Sequence, residues 1–525
     1  MTRTLGISSI LLGLLAWFGE WKDIAFPTAR WFFSVSREMS WLQMPVEKGE
    51  PFLWFGWLAV ALLLGTGLLL LIRSFQRNRI NPITRNRIKR FCSIRRGYYA
   101  LWIVVSLLVL AALDQVVVGK RALAVHHDGK WIFPAFLSTD LFNRDFGIKD
   151  ATGDAQADYR MLKRLWANQK DKRVIMPLIP YDPTGDTLPP MSGALEQRNG
   201  IVYESGGKKR FFGLAATYLN VNEAKMHIRT TYRNGLANGP AEGWDENGTP
   251  VYLAEYEKGF LKHDHYTGLG SKENYLSTPA SELRKIFYHP APPMPKEGHL
   301  LGTTSQGFDL VAYLYGGLQV NFKAAIIYMP LVYLIGITVG MLMGFYGGWF
   351  DLISQRLMEI LTNVPVLFVV IILASMVPDA YKGLPIILTI LMAFGWMEMT
   401  YLMRASAYRD KQRDYIAAAR VLGASTPRIL FLHLIPNSLS IIVTLIPFSL
   451  SGLVFALTSL DYLGFGLPPS YATWGRLLND GLANLSAPWL VTSAFFVLVC
   501  LLVLFTFIGE AVREAFDPKK FSYYR

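Results

Sequence analysis

Six apolar runs, each long enough to cross a bilayer as a helix, decide what this chain can fold into. They occupy residues 53–72, 99–118, 324–343, 385–402, 438–457 and 490–509, and about 20 apolar residues in helical form span the hydrocarbon core. Residues 364–377 form a shorter run that can gain length from the amphipathic residues before it. Residues 5–21 are weaker still, with Arg3 ahead and Glu20 near the end. No small-x-small cleavage site follows, which favours an uncleaved first span over a signal peptide. The expected fold class is an all-α polytopic membrane protein of eight spans. Composition agrees, with 52% hydrophobic and only 17% charged residues among 525.

Positive charge orients the spans. Between the second and third, Arg73, Arg77, Arg79, Arg85, Arg87, Lys89, Arg90, Arg95 and Arg96 stand with no acidic residue among them. That loop is expected on the cytoplasmic side. The stretch from Arg404 through Arg409, Lys411, Arg413, Arg420 and Arg428 carries only Asp410 and Asp414 in opposition and belongs there too. Four spans separate the two loops, the even number required. The tail with Arg513, Lys519, Lys520 and Arg525 returns to the same side, so both termini are expected in the cytoplasm. The net charge of +13 is then a retention pattern that meets anionic lipid headgroups, and it calls for no nucleic acid. Cys92 in the basic loop and Cys500 inside the last span are not placed to pair.

Residues 120–307 are the large non-membrane segment, and parity puts them outside the cytoplasm. Val202-Tyr203 and residues 226–232 read as strands, so this is a mostly irregular, partly β insertion. Pro290, Pro292, Pro293 and Pro295 mark a stiff return to the membrane. No Gly-x-x-x-x-Gly-Lys-Ser/Thr loop occurs, so the chain does not bind ATP by that route. His263 and His265 could share a metal, and Asp182, Asp186 and Glu196 could form a carboxylate pair, but solvated loop residues are the simpler account, and no metal site is assigned. The alternative function is a membrane-anchored enzyme with its active site in residues 120–307. An ion-coupled carrier is disfavoured by the scarcity of ionisable residues inside the spans. Asp114 lies near an outer span end, Asp351, Arg356 and Glu359 fall on an amphipathic surface helix, and Glu398 with Arg404 reads as a local pair near a span end.

Residues 413–437 are more elaborate than a connection between spans needs. Residues 415–422 favour helix, and Gly423 sits where a helix most easily ends. Ser425 or Thr426 can cap a second helix, with Pro427 near its first position and Pro436 closing it. Ala417, Ala418 and Ala419 leave a side-chain-poor face against which another protein can pack closely. The segment is a candidate docking surface.

These residues carry a resemblance. The loop resembles the EAA loop of ABC-importer permeases, whose pattern is Glu-Ala-Ala, three residues, Gly, nine residues, Ile-x-Leu-Pro. Ala418 and Ala419 match the alanines, Gly423 the glycine and Pro436 the proline, while His433 and Ile435 stand at the Ile and Leu positions. Ala417 replaces the glutamate, with Asp414 about one helical turn away. His433-Leu434-Ile435-Pro436-Asn437 is similar to the His-Ile-Leu-Pro-Asn variant of the peptide branch. Leu301-Gly302-Thr303-Thr304-Ser305-Gln306-Gly307-Phe308-Asp309 resembles that branch's Leu-Gly-Thr-Asp-x-x-Gly-Arg-Asp element, with Thr304 and Phe308 as departures. Leu460-Asp461-Tyr462-Leu463-Gly464-Phe465-Gly466, Ala487-Pro488-Trp489 and residues 507–518 are similar to Yej-type (microcin C/oligopeptide) permeases.

The resemblance covers roughly residues 90–135 and 295–520 and implies a type I ABC importer permease fold in a bacterial inner membrane. It implies a core first helix at 98–119 and a core transmembrane domain at 308–510, with the coupling loop at 405–437. Around these lie an N-terminal extension at 1–75, a basic cytoplasmic loop at 76–97 and a cytoplasmic tail at 511–525. The implied function is half of a path for peptides or peptide-like solutes, with Asp414, Ala417, Ala418, Ala419, Gly423, His433 and Pro436 forming the ATPase-coupling site. Implied partners are a second homologous permease, cytoplasmic ABC ATPase subunits, an extracytoplasmic solute-binding protein and membrane lipid. The chain itself needs no cofactor, since ATP and Mg belong to the ATPase partner.

Overall fold

Long helices build one compact unit of the chain, and a broad antiparallel sheet builds the other. The computed structural model describes residues 2–22, 24, 33, 37, 53–75, 82–137, 140–147, 156–166, 169, 171–186, 191–204, 210–220, 225–277, 283–287, 289–295, 298–378 and 381–516. Of the basic residues used to orient the spans, Arg77, Arg79, Lys519, Lys520 and Arg525 lie outside these, as do the last two residues of the 507–518 motif. The first unit comprises residues 1–184, 313–479 and 491–525, and the second 185–312 with 480–490. Residues 120–307, read above as one insertion, are thus shared between them.

In chain order the helices are α1 (Thr2–Trp21), α2 (Trp54–Phe75), α3 (Pro82–Ser93), α4 (Arg95–Ala112), α5 (Tyr159–Leu165), α6 (Lys272–Ser277), α7 (Leu310–Tyr346) and α8 (Gly348–Asn363). They continue with α9 (Val366–Met376), α10 (Leu384–Gly395), α11 (Met397–Asp410), α12 (Asp414–Val421), α13 (Thr426–Ile429), α14 (Ile435–Tyr462), α15 (Trp474–Ala483) and α16 (Pro488–Phe516). Among the described residues, six stretches are long and apolar enough to cross a membrane: Trp54–Leu71, Arg95–Ala112, Leu310–Tyr346, Leu384–Asp410, Thr426–Tyr462 and Pro488–Phe516. They fall on the six runs expected from the sequence.

The other two expected spans come out differently. Residues 6–21 form a shorter apolar helix. At 364–377, α8 and α9 meet at a bend of 82°. Val364, ahead of Pro365, is held extended with ψ 131°, because a proline ring excludes the helical region for the residue before it. The amphipathic α8 therefore adds no length to α9, whose 11 residues reach about 16 Å, half a hydrocarbon core. Only as a bent pair do the two make a seventh span.

Small residues set how closely the membrane helices approach. Gly336, Gly340 and Gly344 recur every fourth residue along one face of α7, against α11. A methyl group at Gly340 would lie 2.5 Å from the Thr400 carbonyl oxygen, and one at Gly344 equally close to that of Arg404. Such spacing brings two backbones into dispersion contact where lipid offers no hydrophobic drive. Thr400 Oγ1 donates to the Gly336 carbonyl at 3.2 Å across the same seam. At its end Arg404 forms a two-pronged ion pair with the buried Asp351 of α8, Nη2 to Oδ2 at 2.7 Å. The local pair expected between Glu398 and Arg404 is not formed. Arg404 instead reaches a carboxylate 53 residues away, and only tertiary packing brings that partner close.

The first unit also holds a small sheet of order β2-β1-β3, from strands β1 (Ala124–His127), β2 (Lys130–Ile132) and β3 (Arg173–Ile175). The second holds eight strands in the order β10-β9-β8-β7-β6-β11-β4-β5. In chain order these are β4 (Met191–Arg198), β5 (Ile201–Glu204), β6 (Gly213–Asn220), β7 (Lys225–Arg233), β8 (Leu236–Trp244), β9 (Pro250–Glu257), β10 (Phe260–Tyr266) and β11 (Arg284–Phe287). Two of them contain the strands expected at Val202-Tyr203 and 226–232, but the segment is far more regular than expected. Its hairpins turn on Asn199-Gly200, Asn234-Gly235 and Lys258-Gly259, where both residues of each pair have positive φ. Such two-residue turns match the right-handed twist of the strands they join.

Within this sheet His227 is 1% exposed, stands edge-on to Tyr275 with ring centroids 4.5 Å apart, and has neither ring nitrogen hydrogen-bonded. Burial holds its imidazole below the ordinary value. The unfolded chain therefore binds more protons than the folded one once the pH falls below about 6.5, and stability is lost on acidification. The full-length protein in detergent is expected to melt lower at pH 5.5 than at pH 7.5, and His227→Phe to shrink that difference. Fluorescence melts of both chains at the two pH values check this, and equal pH dependence would clear the imidazole of any part.

Candidate functional site

The connection between Leu384–Asp410 and Thr426–Tyr462 is a fixed piece of structure, anchored at both ends. Asp410, the last residue of α11, is fully buried. Its carboxylate accepts from Arg409 Nε at 3.0 Å and Asn437 Nδ2 at 3.0 Å, and pairs with Arg413 Nε at 3.1 Å. One turn earlier, the hydroxyls of Ser406 and Ser438 meet at 2.8 Å. The end of α11 is thereby laced to the start of α14. Asn437 Nδ2 also donates to Tyr415 Oη at 3.3 Å. Partial burial, then the nearby Asp410 charge, raise the Tyr415 hydroxyl above its ordinary value, so it remains neutral.

From this anchor the chain enters α12. Arg413 is the extended residue ahead of it, Asp414 lies in the first turn and Arg420 in the last, the signs that the helix dipole favours at each end. Ile416 and Ala419, three residues apart, share a face and are buried with Met399, Met403, Ala407, Ile429 and Leu434. The Arg420 guanidinium lies 5.0 Å over the Phe345 ring. Gly423 then ends the helix with φ +76°. Its N–H donates to the Arg420 carbonyl at 2.9 Å, and the Ala424 N–H to the Ala419 carbonyl at 3.0 Å. This paired closure is the Schellman arrangement, which a residue without Cβ adopts at least cost.

The second helix departs from expectation. Ser425 precedes α13 in extended conformation but makes no side-chain cap, and Pro436 does not close the element. Residues Leu430–Leu434 widen into a π turn, and Pro436 sits in the first turn of α14. A proline cannot donate to the carbonyl four residues back, and widening the preceding turn lets the helix run on. The stretch Thr426–Tyr462 is consequently continuous and joins α13 to the membrane helix α14 without a break.

The seven residues singled out from the sequence lie as follows. Ala417 and Ala418 are exposed, Asp414 is exposed at the helix start, and Gly423 forms the turn. His433 is half-buried in the π turn, its ring 6.5 Å from that of Tyr415, and Pro436 is exposed. Ala419 differs: it points inward, so the three alanines do not share one free face. The outward face is completed by Val421 and Leu422, 89% and 86% exposed. With Ala417 and Ala418 they form an apolar patch at helical spacing that nothing in this chain covers among the described residues. Sequence reading missed Val421, Leu422, Asp410 and Asn437. The four-residue spacing of Ala417 to Val421 and of Ala418 to Leu422 was the available signal for the patch.

Two further motif stretches are capped turns. Asp309, 1% exposed, accepts the Ala312 N–H at 2.9 Å and pairs with His299 Nδ1 at 2.8 Å, starting α7. Asp461 accepts the Leu467 N–H at 2.7 Å, and Arg476 donates to the carbonyls of Leu467, Pro468 and Tyr471. Elsewhere, Asp264 between His263 and His265 pairs with Lys272, Glu196 pairs with Arg198, and Asp182 accepts the Thr184 N–H at 3.0 Å. Among the described residues no group of three or more His, Cys, Asp or Glu is placed to hold a metal.

Comparison with known proteins bears on this geometry. Residues 336–522 match the family described as binding-protein-dependent transport system inner membrane component. The inner membrane ABC transporter permease protein YejE of Escherichia coli is 30% identical over 443 residues, covering 84% of this chain and 99% of that relative. The peptidoglycan transport system permease protein YejE of Agrobacterium fabrum is 40% identical over 220 residues, 42% of this chain and 57% of the relative. The oligopeptide transport system permease protein OppC of Bacillus subtilis is 34% identical over 227 residues, 43% of this chain and 73% of the relative.

Proposed function

This chain belongs to the inner-membrane permeases of binding-protein-dependent ABC transporters, and from that premise we propose that it is the half-path subunit of an importer for peptides or peptide-like solutes, driven by a separate ATPase chain. The observation that carries the coupling reading is the outward patch of Ala417, Ala418, Val421 and Leu422 on a helix stitched to two spans. An apolar surface of this kind marks a contact with another protein. The ATPase docks there, and closure of its nucleotide sites moves α12 and α13 as one body with the spans they continue into. The loop faces the cytoplasm in this reading, because the basic residues around it and between α2 and α4 demand that side.

Peptides are the favoured cargo because the relatives' names speak of oligopeptide and peptidoglycan transport. A second permease, an extracytoplasmic binding protein and bilayer lipid complete the assembly. Mild detergent extraction is expected to bring down an ATPase chain and a second permease with this one. Proteoliposomes of that complex, supplied with the binding protein, are expected to accumulate a tripeptide only when ATP is present on the ATPase side. A chain that purifies alone and hydrolyses or transports by itself would defeat the proposal.

A further inference from the structure

Glu398 lies inside the apolar run 385–402 and, among the described residues, has no partner in its own chain. In the stretch Leu384–Asp410 it stands four residues, about 6 Å, inside the end of the apolar run that leads to Arg404. Its side chain is exposed, and among the described residues its carboxylate makes no hydrogen bond or ion pair. The other acids of this region are used internally: Asp351 by Arg404, Asp410 by Arg409, Arg413 and Asn437. A charge within an apolar run is costly when it faces lipid, and intramembrane charges that persist line polar cavities or paths.

The neighbours of Glu398 are polar as well. Tyr328 and Tyr333 of α7 pack in one cluster with Met399, the residue next to Glu398. The Tyr333 hydroxyl meets Ser449 Oγ of α14 at 3.0 Å. The Tyr328 hydroxyl lies so close to Gly395 that a methyl group there would be 1.8 Å from it. By contrast, the exposed face of α16 presents Phe495, Phe496, Val499 and Val503, as a lipid-facing helix should. Glu398 also falls in the first turn of α11, where the helix dipole favours negative charge without a protein cation. The same helix ends at Asp410, so a tilt of the coupling segment displaces this carboxylate.

We propose that Glu398 lines the translocation path and attracts protonated amines or guanidinium groups of the solute as it passes, with Tyr328, Tyr333 and Ser449 as polar neighbours. This rests on the peptide-importer reading. It is tested with the reconstituted complex, binding protein and ATP, by comparing uptake of Ala-Lys-Ala with that of Ala-Glu-Ala. Glu398→Gln is expected to lower the ratio of lysine to glutamate peptide uptake about tenfold, as loss of one close charge contact in a partly wet site allows. Glu398→Asp should keep most of the wild-type ratio, and Glu398→Lys should reverse the preference. An unchanged ratio in Glu398→Gln, or an equal fall for both peptides, overturns the proposal while leaving the importer reading standing. The equal fall would mark Glu398 as a structural contact, such as a pair with the second permease. If the wild-type complex imports neither peptide, the importer reading falls and the proposal with it.

Discussion

Replacing Val421 and Leu422 together with aspartate is expected to release the ATPase from the membrane complex. Both side chains are almost fully exposed in the isolated chain, at 89% and 86%, so the double variant should insert and melt like the wild type. At the docked interface, losing two buried aliphatic side chains costs about 1.5–3 kcal/mol each. Burying unpaired carboxylates in their place costs more. A total of at least about 4 kcal/mol corresponds to a thousandfold weaker association. Affinity purification through this chain, with the ATPase quantified in the eluate, reads the result. Retention of the ATPase at the wild-type level would move the docking site elsewhere.

The second large effect is expected at Gly423. A methyl group built there would meet nothing within 4 Å, so crowding does not limit the position. The backbone does, because φ is +76°. A β-branched side chain in that conformation costs about 2 kcal/mol or more, while asparagine tolerates it. Gly423→Val should relieve the strain by opening the two closing hydrogen bonds at Arg420 and Ala419, loosening α12 from α13. Solute-stimulated ATP hydrolysis by the assembled complex is then expected to fall about tenfold or more, since 1.4 kcal/mol is already tenfold, with insertion unchanged and Gly423→Asn near wild type. Equal stimulation in Gly423→Val and wild type would mean that the rigid turn does not transmit the motion.

What the sequence disclosed, it disclosed through local rules. Apolar runs of helical length gave the six long spans, and the helix-ending glycine gave the Gly423 turn together with the helix before it. Where the structure departs, the cause lies in partners distant along the chain or in signals with two meanings. Pro436 reads as a stop, yet a π turn ahead of it carries the helix into the membrane. Arg404 finds Asp351 instead of the nearby Glu398, because the glycine ridge of α7 brings α11 close enough for α8 to reach it. Ala419 looks like its neighbours but faces Met403 and Leu434, which only packing decides. The eight-stranded sheet was partly legible: Asn199-Gly200 and Asn234-Gly235 are hairpin signals in their own right, whereas the Lys258-Gly259 turn and the place of β11 between β6 and β4 are not visible in local sequence.

The claim that α12 is the seat of the ATPase is tested most directly by cysteine cross-linking. In a chain with Cys92 and Cys500 replaced, single cysteines at Ala418, Leu422, Ile416 and Ala419 are treated with a short bifunctional reagent in the assembled complex. The account predicts cross-links to the ATPase from 418 and 422, which are exposed, and none from 416 and 419, which are buried within the permease. Cross-links to the ATPase from another segment, with none from 418 or 422, would contradict it.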